Sequence, residues 1–111
     1  MRFRKELVGG TTNALILSVL NRVPAHGYEI VQTVNEESGG LFAWKEGTIY
    51  PALHKLERAG FISGAWKQTP NGRKRRVYSI TSSGKKVLVE QTDEWSVYSA
   101  TVDKILGTSH A

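Results

Sequence analysis

The chain has 111 residues, 40% of them hydrophobic, which is enough for one domain with its own core and too apolar for global disorder. It contains no cysteine, which excludes disulfides, thiolate metal sites and cysteine nucleophiles and fits a reducing compartment. The net charge of +5 is uneven: Arg58 to Val89 holds eight basic residues and no Asp or Glu, leaving the remainder at −3, which means either a cationic patch facing a polyanion or a solvated basic loop.

Residues 1–10, MRFRKELVGG, read as a basic N-terminal tail ending in paired glycines. Its Arg2, Arg4 and Lys5 either add contacts to a polyanion or stay solvated. Apolar spacing predicts a first helix over 11–21, with Leu15, Ile16, Val19 and Leu20 facing the core and Pro24 closing the segment. The apolar run Ala14–Leu20 is far short of the roughly 20 residues of a membrane span, and no cleavage site follows it, so a soluble cytoplasmic protein is expected. A second helix begins near Gly27 and stops before Gly39-Gly40, with Ile30, Val31 and Val34 as its stripe. Residues 41–44, LFAW, form either a small strand or a buried turn.

A third helix is expected over 48–59, with Thr48 as N-cap, Pro51 in the first turn and Gly60 as the stop. Ile49, Ala52, Leu53 and Leu56 share one face, while Pro51, His54, Lys55 and Arg58 share the other, with Tyr50 at the border. Strands near 62–68 and 76–80 follow, and Tyr78 and Ile80 alternate with Ser79 as a half-buried strand requires. The link TPNGRKR carries a strong turn signal, and the loop is expected to present Arg73, Lys74, Arg75 and Arg76. A last helix spans 82–106, with Thr81 as cap. Leu88, Trp95 and Val102 are seven apart, as are Gln91, Tyr98 and Ile105, which is the a/d seam of a helix packed on another helix.

Catalysis lacks a constellation. His26, His54 and His110 stand apart, none has zinc-ligand spacing, and no glycine-rich phosphate loop occurs. Neither an enzyme nor a metal or other cofactor is expected.

GGTTNALILSVL, PAHGYEI, EGTIYPALHKLERAGFI and GRKRRVYSITSSGKKVL, in that order, resemble the PadR family of transcriptional regulators from about Gly9 to Leu106. The single C-terminal helix resembles the compact branch of that family. The fold implied is α+β, mainly α: a winged helix-turn-helix DNA-binding domain over 11–80 and a C-terminal dimerisation helix over 81–111. The resemblance implies a homodimeric repressor on a near-palindromic operator in double-stranded DNA. The two copies of the third helix would enter successive major grooves about 34 Å apart. The expected DNA contacts are Tyr28, Lys45, Thr48, Tyr50, Pro51, His54, Lys55, Arg58, Arg73, Lys74, Arg75 and Arg76. Tyr50 and Lys55 would touch phosphates by similarity to the family. Tyr28 either lies near the DNA backbone or is a core tyrosine with its hydroxyl at the surface. Leu88, Gln91, Trp95, Tyr98, Val102 and Ile105 would form the dimer interface. Trp95 there either stacks against a planar aromatic effector, with Asp93, Glu94 or Asp103 near a cationic group, or is packing alone. The competing class is a winged-helix protein–protein interaction module whose basic wing meets an acidic partner.

Overall fold

In the computed structural model, which describes Met1 and residues 3–108, the elements run α1 (Lys5–Val8), a 3-10 turn (Gly9–Thr11), α2 (Thr12–Arg22), β1 (Ala25–His26), α3 (Gly27–Glu37), α4 (Glu46–Arg58), β2 (Ile62–Gln68), β3 (Lys74–Ile80) and α5 (Ser82–Leu106). Arg2 and His110 lie outside the described residues. The sheet is antiparallel in the order β1-β3-β2, with β2 and β3 in register from Ile62 opposite Ile80 to Gln68 opposite Lys74. This is the mainly helical winged helix that the resemblance implies, and the β2–β3 hairpin is the wing.

The core gathers Ile16, Val19 and Leu20 of α2 together with Leu17, which the spacing left out, Ile30, Val31 and Val34 of α3, and Ile49, Leu53 and Leu56 of α4, closed by Ile62 and Tyr78, while the expected Leu15 and Ala52 are only partly buried against it. Each large side chain removed from water there contributes about 1.5–3 kcal/mol before entropy. Burial pushes the Tyr78 hydroxyl above the ordinary tyrosine range, against the opposing pull of the Arg76 charge, so it stays protonated at neutral pH.

Three local expectations change. α4 starts at Glu46 with Lys45 as its N-cap, and the Thr48 hydroxyl donates to the Lys45 carbonyl at 2.8 Å instead of capping the helix. Pro51 therefore lies beyond the first turn, and the carbonyl its ring leaves unmatched is that of Gly47, on an exposed turn where water can satisfy it. β3 begins at Lys74, so of the four cations only Arg73 is in the loop. Register explains this, because Gln68 and Lys67 of β2 stay paired with Lys74 and Arg75. From Phe3 onward, the basic N-terminal segment is tied back to the fold. The Phe3 amide donates to the Leu41 carbonyl at 3.1 Å, and its ring meets Phe42 edge-on at 5.2 Å.

Residues 41–44 are a half-buried turn without strand pairing. Asn35 of α3 fastens its end. The Asn35 side chain donates to the Trp44 carbonyl at 2.9 Å and accepts from the Trp44 amide at 2.8 Å. The start of α5 is fastened as firmly. Thr81 accepts from the Gly84 amide at 3.1 Å and is the expected cap, and its hydroxyl donates to the Gly60 carbonyl at 2.7 Å. Its amide donates to the Phe61 carbonyl at 3.1 Å. α5 packs Val87 and Leu88 on the core and then exposes Trp95, Val97, Tyr98, Ile105 and Leu106.

Candidate nucleic-acid interface

Two helix starts and the wing meet in one open cleft of about 600 Å³, lined by His26, Gly27 and Tyr28 at the start of α3, Glu46 and Tyr50 on α4, and Trp66, Lys74, Arg75 and Arg76 on the wing. Five residues expected at the interface from separate parts of the sequence therefore share one wall: Tyr28, Tyr50, Lys74, Arg75 and Arg76. Tyr28 and Tyr50 are half exposed, which removes the reading of Tyr28 as a core residue. The GY pair has a packing reason. A Cβ on Gly27 would stand 3.1 Å from the Tyr50 ring, so the bare backbone lets that ring lie against the start of α3.

The outward face of α4 presents Pro51, His54, Lys55 and Arg58, all exposed, with Lys45 and Thr48 exposed at its start. Beyond it the wing turns at Thr69–Gly72. The Gly72 amide donates to the Thr69 carbonyl at 2.9 Å, and Gly72 takes φ +84°, a conformation that favours glycine. The Thr69 hydroxyl also reaches the Asn71 side chain and donates to the Arg73 carbonyl.

The four cations are not equivalent. Arg73, Lys74 and Arg75 are exposed and have no carboxylate partner among the described residues. Arg75 does meet the His26 imidazole, with Nη1 to Nε2 at 2.9 Å. His26, which the sequence leaves apart from the other histidines, pairs with Val77 in the sheet, and its backbone amide donates to Glu29 at 3.1 Å. Arg76, expected in the loop, lies in β3 and is turned onto Glu57 of α4, Nη2 to Oε2 at 2.6 Å. Sequence reasoning missed Glu57, Trp66 and His26 as parts of this region. Glu57 and Trp66 carry no local signal, because their partners are 19 and 10 residues further along the chain. His26 stands inside the PAHGYEI motif, whose spacing draws attention to it without revealing Arg75.

On α5, Leu88, Gln91 and Val102 are partly covered, whereas Trp95, Tyr98 and Ile105 are 49%, 61% and 80% exposed. Trp95 lines a second, mostly apolar cleft of about 440 Å³ with Phe3, Leu7, Leu15 and Leu88. Gln91 Oε1 is buried beside it without a hydrogen-bond partner. Asp93, Glu94 and Asp103 are not among the residues that line this cleft within one subunit. Among the described residues no group of His, Asp or Glu is placed to hold a metal ion, and no helix is long and apolar enough to cross a membrane.

Comparison with known proteins gives a consistent answer. The model of the transcriptional regulator PadR-like family matches residues 16–90. A Lysinibacillus sphaericus protein is 31% identical over 100 residues, covering 90% of this chain and 92% of that protein. The negative transcriptional regulator PadR of Bacillus subtilis is 37% identical over 75 residues, covering 66% of this chain. The match spans only 40% of the Bacillus subtilis regulator's length. The crystal structure of a PadR-like transcriptional regulator from Bacillus cereus superposes with a TM-score of 0.80 at 29% identity, over 92% of this chain and 97% of that one.

Proposed function

This chain belongs to the PadR-like family of transcriptional regulators, and on that premise we propose that it acts as a homodimeric repressor occupying a near-palindromic operator. The observation that carries the reading is the shared cleft, where Tyr28, Tyr50, Lys74 and Arg75 converge beside the exposed face of α4. A helix flanked by a cationic hairpin suits the major groove and the adjacent backbone. Tyr28, Tyr50 and Lys55 hold phosphates and fix register. His54 and Arg58, further along the outward face, read base edges, with Thr48 and Pro51 exposed nearer the start of the helix. Lys45, Arg73, Lys74 and Arg75 supply sequence-independent attraction. Residues 11–80 read DNA, and the segment from residue 81 onward, which carries α5, pairs the subunits through Trp95, Tyr98, Val102 and Ile105.

The exposed apolar face on α5 supports pairing, since a monomer gains nothing by leaving Trp95, Tyr98, Ile105 and Leu106 in water. Sedimentation is expected to give a dimer. A mobility shift with the chain's own upstream region near 100 mM salt is expected to give saturable binding, one dimer per palindrome, that resists excess random duplex. Weak, sequence-blind binding would instead favour the protein–protein module.

The apolar cleft beside Trp95 supports release by a planar aromatic effector. Such compounds are expected to quench Trp95 fluorescence and to weaken operator binding in parallel. They can do so only by preferring one arrangement of the dimer. A diverse panel that quenches nothing would leave Trp95 as packing.

A further inference from the structure

The core stops short of the wing tip. Ile62 and Tyr78 are its last buried members, and Ala65 to Gln68 and Arg73 to Arg75 are exposed. At that boundary one carboxylate oxygen ties three elements together. Glu57 Oε2 of α4 accepts from Arg76 Nη2 of β3 at 2.6 Å and from the Gly64 amide of β2 at 3.0 Å. The pair is partly sheltered, its side chains being 32% and 27% exposed, so screening weakens it less than a fully solvated pair. Trp66 and Tyr78 flank the guanidinium, with ring centroids 5.7 and 5.9 Å from its carbon. Gly64 leaves the space it occupies: a Cβ there would stand 2.6 Å from Arg76 Nε and 2.8 Å from Cζ.

We propose that the Glu57–Arg76 pair is a positioning device that fixes the angle of the wing against α4, so that Arg76 serves DNA binding through the wing and touches no phosphate. Only the DNA-binding consequence rests on the regulator reading above; the clamp itself does not. The lever is long. The tip at Asn71 is five residues beyond Arg76, about 16 Å along the hairpin. A tilt of about 15° at the clamp moves the tip by about 4 Å, well past the few tenths of an ångström a hydrogen bond tolerates. Without the clamp, Arg73 and Lys74 therefore disengage although both remain in the chain.

The test uses Glu57→Gln, which keeps shape and an acceptor for Gly64, and Gly64→Ala, which displaces the guanidinium while keeping both charges. Each is expected to lower operator affinity about tenfold, the scale of one charge-assisted hydrogen bond. The deciding measurement is coupling. Arg73→Ala with Lys74→Ala should cost much less in either variant background than in the unaltered chain, at temperatures where all variants are folded. Independent, multiplying losses would mean mere stabilisation and would overturn the proposal, as would unchanged affinity in both variants. A readout without DNA separates this from failure of the regulator reading. Residual dipolar couplings of wing amides 66–75 should fit the frame of α4 in the unaltered chain and shrink in Glu57→Gln. Couplings that stay the same sink the clamp whether or not the chain binds DNA.

Discussion

Replacing Arg73 and Arg75 by alanine is expected to weaken binding to every duplex by a similar factor and to flatten its dependence on salt. Both side chains are exposed, and neither has a carboxylate to neutralise it among the described residues. A cation that meets a phosphate releases condensed counterions, contributing about 0.9 to the slope of log K against log salt. If both arginines of both wings of a dimer are engaged, the slope falls by about 3.6. For each phosphate that is no longer neutralised, a fourfold rise in salt then reduces binding about 3.5-fold less than before. Because the phosphates are the same in all sequences, the ratio of operator to random-duplex affinity should hardly move. Changing His54 or Arg58 should act the other way, altering that ratio more than the slope. Fluorescence anisotropy titrations at several salt concentrations read both quantities. A slope equal to that of the unaltered chain would take the wing out of the interface.

Gly84→Ala is expected to cost about 3 kcal/mol of folding stability, from overpacking together with weakened hydrogen bonds. A Cβ at Gly84 would stand 2.0 Å from the Phe61 carbonyl oxygen, 3.0 Å from its carbon and 2.9 Å from Ile80 Cγ1. Two of these atoms are backbone, so no rotamer change relieves the clash and the start of α5 must lift. Lifting strains the bonds from Thr81 and Ser83 to the Gly60 carbonyl, from Thr81 to Phe61, and from Gly84 to Thr81. Gly9→Ala is the control, because nothing lies within 4 Å of a Cβ there. Denaturant unfolding at one protein concentration compares the two. A loss below about 1 kcal/mol for Gly84→Ala would mean that the junction yields more easily than close packing allows.

The elements that carry strong local chemistry were legible in the sequence. Thr81 caps α5 and Gly60 follows α4, because a hydroxyl near free amides and a residue tolerant of positive φ act over one turn. The buried and exposed faces of α4 follow from spacing alone. What escaped depends on distant partners. Phe3 sits among cations and looks like tail until Leu41 and Phe42 meet it. Lys74 and Arg75 look like loop until β2 pairs with them. Thr48 looks like a cap, yet the helix extends past it to Glu46, so the hydroxyl serves the first turn from within. Arg76 reads as one more basic residue in a run, and only the fold sets it against Glu57.

Asn35 grips Trp44 by both its amide and its carbonyl, so one side chain does for α3 and the chain entering α4 what a pair of strands does elsewhere. The two helices are thereby tied together at the neck of residues 38–43, the excursion between the end of α3 and the chain entering α4. Within that excursion Leu41 and Phe42 are held by Phe3 and the core, so the exposed Gly39-Gly40 bend is where length or composition can change with least effect on the orientation of α4.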